Sequence, residues 1–227
     1  TSAPKPADDG VLELAGCGGA IFNAGSLELQ STTLTGNQAV GAEDTNGNYA
    51  GHGMGGALFN EGFAGIVEST LSSNTATGGN SLNWSGGYGV GGAVFNSSGG
   101  GAQIMNTTFS ANRAQGGNAS SGIAGSGLGG GVCNIDIYGN WYVSAEIVNC
   151  TFAHNTVAAG TGGTPWETAD GGALYNDDYS VVHLLNTILA YSGGVHDAVN
   201  TGAPSNVTGA HNLAERYSGF GNVFIGT

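Results

Sequence analysis

GGALFN at Gly55–Asn60 is one of five copies of a phrase that decides the fold. The others read GGAIFN at Gly18–Asn23, GGAVFN at Gly91–Asn96, GGGVCN at Gly129–Asn134 and GGALYN at Gly171–Asn176. Successive copies start 36 to 42 residues apart, a period that marks a repeat architecture. Two glycines permit a tight bend with φ > 0. The aliphatic residue that follows and the asparagine two places on share one face of a strand.

Outward from each phrase the apolar residues fall into columns. Leu34, Leu71, Phe109, Phe152 and Leu189 form one. Five residues earlier stand Leu29, Ile66, Ile104, Ile147 and Leu184, and two before those Leu27, Ala64, Ala102, Ala145 and Val182. Each repeat thus holds three short runs of period two and no helical period. One unit cannot bury its apolar side alone; copies stacked strand on strand close a shared interior. The expected fold is all-β, a right-handed parallel β-helix with long inserts stacked along one edge.

The repeat covers nearly all of the 227 residues, so we expect residues 1–10 to be an extended arm and 11–227 a single β-helix domain, with repeats starting near 18, 55, 91, 129 and 171. Val11–Leu14 reads as a first partial coil, and Asn206–Leu213 and Asn222–Ile225 as last strands. The inserts, Val40–Met54, Thr77–Val90, Gln115–Leu128 and Ala158–Asp170, are rich in Gly, Asn, Ser and Thr. The fourth copy adds a hairpin-like segment, Ile135–Val143, around Gly139-Asn140.

Glycine supplies 45 residues, yet the apolar columns argue against disorder. Only Lys5, Arg113 and Arg216 are basic against 16 acids, a net charge of −13. That speaks against nucleic acid, whose binding leans on Lys and Arg, and against anionic membranes. No apolar run approaches the ~18 residues of a membrane span. We expect a secreted, processed chain at the cell surface or outside the cell. Cys17, Cys133 and Cys150 are too few and too irregular for a disulfide framework or zinc site. They read as strand residues, with a Cys133–Cys150 bridge the one pairing that a shared coil allows.

Several residue sets invite a functional reading. The stacked asparagines, Asn23, Asn60, Asn96, Asn134 and Asn176, read as a structural ladder of amides. Asn37, Asn74, Asn112 and Asn155, followed in column by Ser192, read as a second. Tyr49, Trp84, Tyr88 and Trp166 lie in the inserts, where repeat proteins usually bind; each is a candidate to stack on a sugar ring or to staple its own loop. Asn83 and Asn118 sit there in Asn-x-Ser sequons, as candidate glycan positions. No cofactor is expected beyond a weak case for Ca²⁺ at Asp177-Asp178 or Glu43-Asp44. Catalysis is disfavoured: glycoside hydrolysis needs two carboxylates a few ångströms apart, and neighbours on a strand such as Asp177 and Asp178 point to opposite faces. Gly51-His52-Gly53 lacks a basic partner.

The phrase GGA-[ILV]-[FY]-N followed by [ST]-[LF]-x-x-N-x-A resembles the repeats of chlamydial polymorphic outer-membrane proteins and related bacterial surface β-helices. Asn186–Ala190, Asp197 and Ala210–Leu213 resemble the end of choice-of-anchor Q domains. The resemblance implies a surface-displayed or secreted β-helix of adhesive or structural role with no shared catalytic residues. The inserts are longer than those repeats usually carry. Two function classes follow. The first is a non-enzymatic extracellular structural or adhesive β-helix that assembles with copies of itself, head to tail, into a fibre. The alternative is a carbohydrate-active β-helix that binds or cleaves an acidic polysaccharide.

Overall fold

The computed structural model describes residues 14–44, 49–136, 142–162 and 168–224. Among them every strand pairing is parallel, and the one helical turn is the 3₁₀ segment Pro204–Asn206. Five sheets run along the molecule. A narrow sheet stacks Gly16–Cys17, Gly53–Met54, Gly89–Val90, Gly127–Leu128 and Ala169–Asp170. An asparagine sheet stacks the strands of the repeated phrase from Ile21–Asn23 to Leu174–Asn176, then Ala198–Asn200 and Tyr217–Ser218. A broad sheet runs from Ser26–Gln30 through Phe63–Val67, Gly101–Met105, Val143–Val148 and Ser180–Leu185 to Val207–Ala210. A threonine sheet runs from Thr33–Thr35 to Leu213–Ala214, and an alanine sheet holds Gln38–Val40, Thr75–Thr77, Arg113–Gln115 and Thr156–Ala158. This is a parallel β-helix.

The strands stack copy on copy: Ile66 pairs with Leu29 and Ile104, and Leu71 with Leu34 and Phe109. The main core lies between the asparagine, broad and threonine sheets. Leu58, Ile66, Ile104, Phe109, Ile147, Phe152 and Leu184 are wholly buried in it. The rings of Phe109 and Phe152 stack at 4.5 Å. A second, smaller core lies between the narrow and asparagine sheets, where Met54 and Val90 meet Phe59, Phe95 and Cys133. The asparagine sheet is therefore apolar on both faces, as a parallel sheet covered on both sides requires.

The paired glycines set the corner between narrow and asparagine sheets. The first glycine of every phrase has φ between 60 and 65°. A Cβ on Gly55 would lie 2.1 Å from the Leu58 carbonyl oxygen, so no other residue fits. The turns on either side of the threonine sheet also use positive φ, here in residues such as Ser31, Glu68 and Asn106, and Ser73 and Ala111.

Four sequence readings are corrected. No Cys133–Cys150 bridge forms: all three cysteines are free and buried, the asparagine sheet carrying Cys133 into the small core while Cys150, in the turn between the broad and threonine sheets, belongs to the main one. Cys150 continues a column of small hydroxyl residues, its thiol donating to the carbonyls of Val148 at 3.2 Å and Ile104 at 3.5 Å. Leu14 lies in a turn, not a strand. The stack also continues for a sixth coil without the paired-glycine phrase: Ala198–Asn200 pairs with Leu174–Asn176, so His196 and Asp197 stand where Gly172 and Ala173 stand one coil earlier. Asn222–Phe224 forms no strand beyond a single bridge from Phe224 to Asn212. Thr1–Gly10, Val11–Glu13, Trp166 and the tip of the Ile135–Val143 segment lie outside the described residues.

Candidate binding surface on the insert edge

Each insert leaves the alanine sheet and returns to the narrow sheet, and in the first three the two legs are joined backbone to backbone. Gly79 N–H donates to Gly51 O at 2.9 Å, Gly87 to Gly79 at 2.9 Å, Gly117 to Gly87 at 2.8 Å, Gly125 to Gly117 at 2.8 Å and Gly160 to Gly125 at 2.9 Å. Outgoing and returning legs alternate, so one chain of hydrogen bonds climbs through four inserts. A Cβ on Gly87 would lie 1.8 Å from Gly51 O, and one on Gly117 1.9 Å from Gly79 O. From Gly51 to Gly160 this wall has room for no side chain, which accounts for much of the glycine in the inserts.

Beyond the wall the outgoing legs carry a polar ladder. Asn80 Nδ2 donates to Glu43 Oε1 at 3.1 Å, Asn118 N–H to Asn80 Oδ1 at 2.8 Å, and Thr161 donates its N–H and hydroxyl to Asn118 Oδ1 at 2.8 and 2.9 Å. Asp44, Ser81 and Ala119 form a parallel bridge column beside it, with Ser81 Oγ donating to Asp44 Oδ2 at 3.1 Å. Asn118 is thus a rung of this ladder. Asn83 is exposed, and its backbone carbonyl accepts from Ser121 Oγ.

The aromatic candidates of the first two inserts form two ring pairs on this frame. Tyr49 and Trp84 meet with ring centroids 5.8 Å apart. Tyr88 stacks on His52 at 5.0 Å and 16°, and its backbone N–H donates to His52 Nδ1 at 2.8 Å. Burial holds the His52 imidazole below its ordinary pKa, in the neutral form that can accept that bond. Tyr49 is 66% exposed, Trp84 52% and Tyr88 46%, so the rings touch one another without being buried. Leu82 and Ile123, on the second and third inserts, are also exposed. Leu82 and Ile123 escaped the sequence reading, and His52 entered it only through the Gly51-His52-Gly53 motif. Aligning the glycine columns would have placed them, because only then do inserts of unequal length fall into register.

The remaining candidates lie elsewhere. Asn23 Nδ2 donates to Asn60 Oδ1, Asn60 to Asn96, Asn96 to Asn134 and Asn134 to Asn176, each at 2.7 Å, and Asn176 donates to Asn200 at 2.8 Å. Asn37, Asn74, Asn112 and Asn155 are linked the same way at 2.9 Å, each amide also receiving the N–H of the residue one coil before. Ser192 is not the next rung. Its N–H donates instead to Asp197 Oδ1 at 3.0 Å. Asp177 Oδ1 accepts from Asp178 N–H and Thr201 Oγ1, Glu43 accepts from Asn80, and Asp44 is buried against Ser81. Among the described residues no three His, Cys, Asp or Glu side chains gather as a metal would require.

No family model matches this chain, and neither a curated protein nor a solved structure matches it.

Proposed function

We propose that this protein is a non-enzymatic, extracellular adhesive β-helix that holds carbohydrate through the insert edge. The observation that carries the reading is two ring pairs, the exposed Tyr49 with Trp84 and the exposed Tyr88 with His52, mounted on a glycine wall that fixes the loops bearing them. Loops of this composition would ordinarily be mobile and would lose entropy on binding; here the backbone is already tied down, which favours binding by pre-organisation. Pyranose rings present an apolar C–H face that lies flat on such aromatics. The net charge of −13 favours neutral glycans over acidic ones. Asp177 and Asp178 offer no separated carboxylate pair for hydrolysis, which supports binding over cleavage.

The test is retention on insoluble neutral polysaccharide, with cellulose and chitin as the probes. Aromatic contacts contribute about 0.5–1.5 kcal/mol each beyond buried area, so removing Trp84 and Tyr88 together as alanines is expected to weaken retention about tenfold or more. Circular dichroism should be unchanged. Equal retention by the double variant would remove the insert edge from the reading. Release of soluble sugar would instead make the protein an enzyme.

A further inference from the structure

On the outer face of the broad sheet two columns of side chains run side by side. One is Ser26, Phe63, Gly101, Ser144 and Val181; the other is Glu28, Gly65, Gln103, Glu146 and His183. The first column has a gap. Gly101 carries no side chain between Phe63, 38% exposed, and Ser144. The result is an open groove of about 290 Å³ with the Phe63 ring at one end, Val181 at the other, and Gly101 and Ser144 as its floor. Strands lie about 4.8 Å apart, so the trough is about 14 Å from end to end. Along one side stand Gln103 and Glu146, joined by a hydrogen bond of 3.2 Å from Nε2 to Oε2, and then His183, whose Nδ1 lies 2.9 Å from Thr208 Oγ1.

We propose that this groove is a second carbohydrate subsite, taking a neutral pyranose unit. It is separated from the insert edge by the asparagine sheet on one side of the coil and the threonine sheet on the other. Its chemistry selects the ligand. One ring wall and a floor opened by the missing side chain of Gly101 suit the flat C–H face of a sugar, and the Gln103 amide, the Glu146 carboxylate, the His183 imidazole and the Ser144 hydroxyl line the groove as partners for its hydroxyls. A volume at the small end of ligand sites fits one or two sugar units. An extended peptide is disfavoured: Gly101–Met105 and Val143–Val148 are inner strands, paired on both sides, with no free backbone edge to augment. Anionic ligands, uronic acids included, meet Glu146 and no lysine or arginine among the lining residues.

Gly101 makes the test clean. A Cβ there would meet only the Phe63 ring and Ser144 Oγ, both at 3.7 Å, an ordinary contact distance. Gly101→Val therefore fills the groove on a strand that welcomes a β-branched residue, and its melting temperature should equal or exceed that of the parent. The probes are tetramers of β-1,4-linked glucose, of β-1,4-linked N-acetylglucosamine and of galacturonate, followed by amide chemical shifts of the full chain. The expected result is shifts at Gly101, Gln103, Ser144, Glu146 and His183 with at least one neutral probe and none with galacturonate. Gly101→Val should weaken them at least tenfold, and Phe63→Ala likewise, while Trp84→Ala leaves them unchanged. Absence of shifts at these residues with both neutral probes, or shifts that survive Gly101→Val, would overturn the subsite. Neither outcome bears on the insert edge, which the Trp84 and Tyr88 variants report separately.

Discussion

The amide of Asn60 donates to Asn96 Oδ1 at 2.7 Å, to Gly62 O at 2.9 Å and to Gly101 O at 3.2 Å, while its own oxygen accepts from Asn23. All this happens at a wholly buried site. Truncation to alanine takes the Asn60 donor from Asn96 Oδ1 and one of three acceptors from Asn23 Nδ2, which keeps Phe63 O and Gly25 O; an orphaned buried group costs about 1–3 kcal/mol. We predict that Asn60→Ala is destabilised in chemical denaturation by that amount or more, and Phe109→Ala by about 3–5 kcal/mol, since coils above and below hold the cavity open. Arg113→Ala, at an exposed strand position, should stay within about 0.5 kcal/mol. Parent-like stability of Asn60→Ala would remove the ladder from the account of what holds the coils together. These residue-level features were legible in the sequence because each recurs at one place in the period. Asn200 was not, since the phrase around it has lost both glycines and its aromatic.

At the scale of elements the inserts are the least legible part. Their glycine pairs, Gly78-Gly79, Gly86-Gly87 and Gly116-Gly117, read as loop composition, because a wall made of backbone leaves no side-chain pattern to see. The outer groove was hidden for a different reason: Gly101 is a gap only once Phe63 and Ser144 are known to flank it. Two glycines separate the steric role from the conformational one. Gly117→Ala drives a methyl into the Gly79 carbonyl, and overpacking of this kind costs about 1–3 kcal/mol. It should also raise amide hydrogen exchange at Gly79, Gly87 and Gly125. Gly36, with φ of 67° and open space around its Cβ direction, should tolerate alanine in its contacts and lose only about 1–2 kcal/mol from the left-handed backbone, with insert exchange unchanged. Equal exchange in both variants would mean that the wall does not hold the inserts.

The first insert carries a pH response. His52 titrates below its ordinary value of 6.5 because burial disfavours the cation, and protonated Nδ1 could not accept from Tyr88 N–H. Between the folded pKa and 6.5 the unfolded chain binds more protons, so stability rises with pH in that window. The contribution is complete above 6.5 and is lost as the pH falls through the folded value. We expect a His52 ring titration by NMR with its midpoint under 6.5, accompanied by a shift of the Tyr88 amide. A midpoint at or above 6.5 would contradict the buried, accepting imidazole.

The whole molecule has two different ends. At the first described coil Ile21, Leu27, Leu29 and Leu34 are only partly buried against the core. The last coil is closed by the chain itself: Phe220, Val223 and Phe224 are buried, with Phe224 4.5 Å from the Tyr217 ring and 5.1 Å from Phe220. The wholly buried Asp197 carboxylate ties this closure down, accepting from the N–H groups of Ser192 and Arg216, each at 3.0 Å. Head-to-tail growth into a fibre, the expectation drawn from the sequence, is therefore a proposal that requires the tail to swing aside. We predict that the full chain sediments as a monomer at high concentration, with or without Ca²⁺. Replacing Phe220 and Phe224 together by serine should expose the last coil and produce concentration-dependent association. Filaments formed by the parent chain would show that the closure is not a barrier and would favour the fibre.

The glycine columns also separate what the coil requires from what an insert displays. Legs cross the wall at fixed rungs, Ala42 and Gly51 in the first insert, Gly79 and Gly87 in the second, Gly117 and Gly125 in the third. Whatever lies between two rungs enters and leaves at the same height. The first two intervals already differ in length, and the fold absorbs the difference. A foreign segment grafted between Ala42 and Gly51 would then be presented in register with the untouched tips of its neighbours. The molecule would serve as a rack whose slots can be refilled one at a time.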